Sequence, residues 1–376
     1  MCVGPFPVTI TVRALGTLPD LVADDDLIGL LLAAWPGGPC DGDVLLVSSK
    51  AVAKVEGRVR RHVSREDAVA GETERLLASR GGLQIVRTRH GLVLAGAGVD
   101  ASNTETGSVV LLPVDPDASA RGLRTALATR TGRNVAIVVT DTAGRAWRMG
   151  QTDIAIGVAG LEPLHDLTGQ LDGWHRPLAV TAPAVVDELA GAADLVLDKA
   201  ARTPAAVVSG LSPLVLPSGV HGPGAVAVVR PDGTDLFGLG AADAVRAAVR
   251  RTPADRRGFA HPDSPELTEL VEMAASRQQW VRAEVLNTDS DPLVVIRADP
   301  DAVPGANPGV DADALLAAGA VMERVRVLCW AAGLRSSTVA APAGAICAEA
   351  LSLAPYTDRR YVDSTEGDRG QVQQGS

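Results

Sequence analysis

VAIVVTDTAGR, residues 135–145, is the stretch on which the fold of this chain turns. Five consecutive aliphatic residues, Val135, Ala136, Ile137, Val138 and Val139, form a run of strand length with no polar face, the mark of a strand buried on both sides in an α/β sheet. The run stops at Thr140, Asp141, Thr142, Ala143, Gly144 and Arg145, and the ends of such strands are where α/β proteins place their chemistry.

Upstream, LLPVDPDASARGLR (111–124) offers Asp115 and Ser119 as caps for a helix expected over 120–131. VLLVS (44–48) reads as a second short buried strand running directly into Ser49 and Lys50. Ahead of it the acidic run 24–26 caps a helix over 27–35, and PVTITV (7–12) alternates like a strand before a turn at Gly16, Thr17, Leu18, Pro19 and Asp20. The pattern predicts a helix over 66–79 and strands at 84–87 and 92–98, the last ending in Gly96, Ala97, Gly98, Val99 and Asp100. Downstream a helix is expected over 184–196, with strands at 205–208 and 225–229. From residue 241 the texture changes to an Ala- and Arg-rich helix, 241–251, followed by a Pro- and Asp-studded stretch and an amphipathic helix over 315–332. The predicted class is α/β (α+β), organised as 1–245, a smaller, mainly helical α+β domain over 246–362, and a polar tail, 363–376, expected to be disordered.

Composition narrows the function. With Lys+Arg 35 against Asp+Glu 45 the 376 residues carry a formal charge of -10, which argues against a nucleic-acid binder with a broad basic face. No apolar run reaches the length of a membrane helix, and the first residues lack the pattern of a secretory signal, so a cytoplasmic protein without membrane or nucleic-acid partners is expected. The four cysteines, Cys2, Cys40, Cys329 and Cys347, form no CxxC pair and read as reduced thiols. Only Lys50, Lys54 and Lys199 are lysines, two of them four positions apart. An ammonium is a compact point charge that a guanidinium fork does not replace at a phosphate site.

The chain has no GxxxxGK[ST] loop, no GxGxxG between a strand and a helix, no HExxH and no GxSxG. What remains is polar residues at strand ends: Ser49, Lys50 and Lys54 after VLLVS, Asp100 and Asn103 after LAGAGV, and Asp141 and Thr142 after VAIVV. Two carboxylates and a hydroxyl make an oxygen-only site of the kind Mg2+ or Mn2+ favours when phosphate oxygens complete the shell. Lys54, Arg145 and Arg148 would counter the charge of a polyphosphate, and phosphoryl transfer fits this inventory. The alternatives are structural: an Asx turn at Asp100, a helix cap at Asp141 and Thr142, one solvated helix face for Arg145 and Arg148. The six histidines show no ligand spacing.

Six segments taken together, VSSKAVAKVEGR (47–58), AGAGVDASN (95–103), LLPVDPDASARGLR (111–124), VVTDTAGRAWRMGQTDIAIGVAG (138–160), VVDELAGAADLV (185–196) and DLFGLG (235–240), resemble the coenzyme F420-0:L-glutamate ligase family. The resemblance covers about the first 240 residues. It implies the family's own α/β fold, a homodimer, and ligation of L-glutamate to coenzyme F420-0 with GTP, Mg2+ or Mn2+, and K+. It also implies GTP contacts from Leu18, Pro19, Asp20, Leu21, Ser49, Lys54 and Asn103, and metal ligation by Asp100, Asp141 and Thr142. Lys54, Arg145 and Arg148 are the candidate catalytic cations. Met149 stands where Asn is usual in the WRNGQ motif. Residues 248–251 and 315–339 resemble pieces of the nitroreductase-like domain that some family members carry. The Arg-rich phosphate cradle is not intact around Arg250 and Arg251, and FMN is not expected to bind. The alternatives to a ligase are a ligase joined to an FMN-dependent reductase, and a deazaflavin-binding protein without turnover.

Overall fold

The structure is a computed structural model, and it describes residues 9–102, 104–198, 201–231, 235, 237, 239–252, 267–276, 278, 281–288, 291–298, 312–343, 345 and 349–355. The chain divides into two compact units, Met1–Pro231 and Asp232–Ser376.

In the first unit the elements run β1 (Thr11–Ala14), α1 (Leu27–Ala33), β2 (Val44–Ser48), α2 (Ser49–Val55), β3 (Val59–Arg61), α3 (Arg65–Glu72), β4 (Thr73–Arg80), β5 (Leu83–Thr88), β6 (Val93–Ala95), β7 (Ser108–Val110), α4 (Pro116–Thr131), β8 (Ala136–Arg145), β9 (Arg148–Ala159), α5 (Val185–Asp194) and β10 (Ala205–Ser209). Five strands make the central sheet in the order β1-β10-β2-β8-β9. Its heart, β2 beside β8, is parallel, with Ser48 opposite Thr140, and every other pairing is antiparallel.

The sheet is buried on both faces, as its uninterrupted aliphatic runs require. Leu45, Val47, Ile137, Val139 and Val207 point to one side and pack with residues of α1, α2 and α4, including Leu31, Val52 and Leu127. Val44, Leu46, Val138 and Val208 point to the other and pack on Val186 and Leu189 of α5. Each such fully buried side chain contributes about 1.5–3 kcal/mol, which fixes the register of β2 and β8 and hence the position of their ends. A smaller layer, β3 paired with β7 and β4-β5-β6 in a second antiparallel sheet, has its own core of Val69, Val86, Val99, Val109 and Leu111.

The second unit contains α6 (Ala241–Arg250), α7 (Leu267–Ala275), β11 (Val281–Leu286), β12 (Leu293–Ala298), α8 (Ala312–Ala331), β13 (Leu334–Ala340) and β14 (Glu349–Pro355). Its sheet is antiparallel, ordered β11-β12-β14-β13. Ala317, Ala318, Val321, Val325 and Cys329 of α8 recur at helical spacing against Val294, Ile296, Leu351 and Leu353.

The α/β class holds, and three local expectations change. The predicted helix over 66–79 is α3 only as far as Glu72; the chain then straightens into β4. Residues 225–229, expected as a strand, form a 3-10 turn over Ala225–Val228, whose first amides are claimed by the Asp117 carboxylate. Thr140, Asp141 and Thr142 cap no helix, and Arg145 and Arg148 lie on no helix: all five belong to the long β8–β9 hairpin. The expected tail, 363–376, lies outside the described residues.

Candidate functional site

Where parallel strands end together, backbone and side chains splay open, and here the ends of β2 and β8 open into a cavity of about 910 Å³. Its walls come from the loop after β1 (Leu18, Pro19, Asp20, Leu21), the start of α2 (Ser49, Lys50, Lys54), the turn bearing Asp100, the β8 segment Thr140, Asp141 and Thr142, Asp153 of β9, and the loop before β10.

Asp141 is a half-buried residue of the cavity lining, and Ser49 Oγ donates 2.8 Å to its Oδ1. Burial pushes its carboxyl up to about 6; the Ser49 bond opposes this, and the negative charges of Asp153 and Asp100 add to it. Opposite Thr142 across the hairpin, Asp153 is 5% exposed and accepts from Thr140 Oγ1 at 3.0 Å and from Thr142 Oγ1 at 2.7 Å. With its hydrogen given to Asp153, the Thr142 hydroxyl has lone pairs to offer rather than a proton.

Asp100 is delivered by the tight turn Gly96-Ala97-Gly98, in which all three residues have positive φ. A Cβ at Gly98 would collide with the Leu112 side chain, so the turn packs only with glycine there. Asp100 pairs with Lys50 Nζ at 2.5 Å and takes the Ser102 amide at 2.6 Å. Burial works against its charged form, but the Lys50 and Ser102 donors prevail and hold its carboxyl below the ordinary range. One turn beyond Lys50 on α2, burial lowers the Lys54 ammonium from its usual value, with Asp20 opposing and Lys50 and Arg202 reinforcing. Arg202 pairs with Asp20 at 3.1 Å, and its carbonyl accepts from the Leu18 amide, tying the two rims together.

Of the residues singled out in the sequence, Leu18, Pro19, Asp20, Leu21, Ser49, Lys54, Asp100, Asp141 and Thr142 line this one cavity. Arg145 and Arg148 face each other at the exposed tip of the hairpin, apart from the cavity lining, and Asn103 lies outside the described residues. Asp153 and Arg202 escaped the sequence reading. The repeat of Thr-Asp on either side of AGRAWRMG, at 140–141 and 152–153, was the available signal, since a hairpin closing on that turn sets Thr142 opposite Asp153.

The donor set fits a hard divalent cation. Asp141 carries a costly buried charge that a cation would relieve, and the hydroxyl of Thr142 is turned to accept. Among the described residues no three Asp, Glu, His or Cys side chains form a group that could hold a metal ion by themselves. Among them too, no helix is long and apolar enough to cross a membrane.

Residues 64–210 match the F420-0:Gamma-glutamyl ligase family. Among curated proteins, the coenzyme F420:L-glutamate ligase of Methanothermobacter thermautotrophicus is 35% identical over 216 residues, 51% of this chain and 86% of the relative. The enzymes of the same name from Archaeoglobus fulgidus and Methanopyrus kandleri are 38% identical over 46% of this chain and 77% of the relative, and 33% identical over 62% and 96%. The matched segment 64–210 contains Asp100, Asp141, Thr142 and Asp153 of the cavity, and with relatives more than 30% identical and covered over most of their length the chain is a member of the coenzyme F420:L-glutamate ligase family.

Proposed function

We propose that this protein joins L-glutamate to coenzyme F420-0, and extends the product through γ-linked glutamates, using GTP and Mg2+ or Mn2+. The observation that carries the reading is Asp141: a buried carboxylate with a raised pKa, bonded to Ser49, at the mouth of two parallel strands in a cavity of nucleotide size.

In this reading the terminal carboxylate of the deazaflavin's lactyl phosphodiester attacks the γ-phosphorus of GTP, forming an acyl phosphate and releasing GDP. The glutamate amine then attacks the acyl carbon, the amide forms, phosphate leaves, and the amine proton passes to solvent. The divalent ion supplies charge neutralisation and a template for the phosphate oxygens. Asp100, Asp141 and Thr142 would hold it, and Asp153 would keep the Thr142 hydroxyl turned toward it. Lys54, which lines the cavity from α2 one turn beyond Lys50, would stabilise charge on the phosphoryl group in flight. Ser49 and the loop at Leu18, Pro19, Asp20 and Leu21 would seat the nucleotide, and Asn103 would contact it. Arg145 and Arg148 extend from the hairpin tip and take no part in these steps.

The test is mass spectrometry of purified protein with coenzyme F420-0, L-glutamate, GTP and Mn2+. Products heavier by one or more glutamyl units, formed with GDP and absent without GTP or metal, are expected. Asp141→Ala should abolish them while leaving the circular dichroism spectrum and cooperative unfolding intact; near-wild-type turnover would sink the metal assignment.

A further inference from the structure

Lys50 spends all three of its donors inside the site: 2.5 Å to Asp100 Oδ2, 2.8 Å to Ser102 Oγ and 2.9 Å to the Ser102 carbonyl. Asp100 is equally committed. Its Oδ1 takes the Ser102 amide at 2.6 Å, and its Oδ2 takes the Ser102 hydroxyl at 3.0 Å together with the ammonium. Both carboxylate oxygens therefore carry internal donors.

A divalent ion binds carboxylate oxygen at roughly 2.0–2.2 Å for Mg2+-like geometry and needs a free lone pair. On Oδ2 that position is taken, and an ammonium next to a doubly charged ion would be repelled. The donors differ in their ability to leave. The Ser102 amide and hydroxyl are fixed to the turn itself, two residues from Asp100. Lys50 reaches over from α2 on a flexible four-carbon stem and is already partly open to the cavity. Asp141, by contrast, is held by a hydroxyl and a backbone donor. The two carboxylates thus enter the reaction in different states, one with its cation built in.

Resting on the metal reading above, we propose that Lys50 is the resting occupant of the cation position on Asp100, and that the divalent ion binds there by displacing it. The lysine neutralises the turn while the site is empty, and metal affinity is set by the exchange of one cation for the other.

The experiment titrates Mn2+ into the full chain without nucleotide, following free Mn2+ by electron paramagnetic resonance. Lys50→Met, which keeps the stem and removes the charge, is expected to bind Mn2+ about fivefold more tightly, the size of one partly exposed ion pair. Asp100→Asn should bind more weakly than wild type. Unchanged or weaker binding by Lys50→Met, with Asp100→Asn still impaired, overturns the exchange and leaves the metal reading standing. Wild-type affinity in Asp100→Asn overturns both.

A second measurement needs no variant. The chain has only three lysines, so acetylation followed by peptide mass spectrometry reports each one. Mn2+ should speed acetylation of Lys50 severalfold; an unaltered Lys50 rate under saturating Mn2+ overturns the proposal.

Discussion

Asp141 shows how a single residue can trade stability for use. In the unfolded chain it titrates near the ordinary 3.8, and in the folded one near 6. Below the lower value both states are protonated and nothing is lost. As pH rises through about 6 the folded protein must carry a buried charge that the unfolded chain carries in water. The metal-free protein therefore loses stability across that window, nominally by about 3 kcal/mol from a shift of roughly two units. Asp141→Asn should remove this loss: in the presence of EDTA its melting temperature should match wild type near pH 4 and exceed it at pH 7. Parallel curves for the two proteins would show that burial does not strain this carboxylate. Ser49, Lys50, Lys54, Asp100, Asp141 and Thr142 were legible in the sequence because short buried strands announce their own ends. Asp153 was not, because its role depends on a hairpin pairing whose signal, the Thr-Asp repeat at 140–141 and 152–153, shows only when both strands are read together.

At the scale of elements, legibility followed how many structures a pattern allows. VLLVS and VAIVV admit only a buried strand, and β2 matches the expected limits while β8 runs on to Arg145. The stretch from Glu66 onward is different: Ala68 and Val69 suit a helix, yet Leu77 and Val86 can bury themselves only if the chain straightens and pairs β4 with β5. Pairing across the Gly81-Gly82 turn overrides helical spacing. A non-local demand fixes Gly157 in β9, where a Cβ would overlap the Pro116 carbonyl at the start of α4. Gly157→Ala must push helix and strand apart, at about 1–3 kcal/mol. A melting temperature lower by several degrees is expected, with residual ligation at low temperature because the strand ends survive; an unshifted melting curve would mean that the α4–β9 packing yields freely.

At the scale of the whole molecule, everything assigned a role in ligation and described by the structure lies before residue 232. That unit has buried clusters on both faces of its own sheet, and the second unit has a separate one around α8. The relatives point the same way: 216 aligned residues make up 86% of the Methanothermobacter thermautotrophicus enzyme but only 51% of this chain, so a ligase of that name fits in little more than the length of the first unit. A protein ending at Pro231 should therefore fold cooperatively, bind Mn2+ with the affinity of the full chain, and add at least one glutamate to coenzyme F420-0 in the mass-spectrometric assay. A truncated protein that melts cooperatively and binds Mn2+ yet forms no glutamyl product would place an indispensable part of the reaction in the second unit. Loss of cooperative melting would instead show that the buried clusters of the first unit do not suffice to hold it.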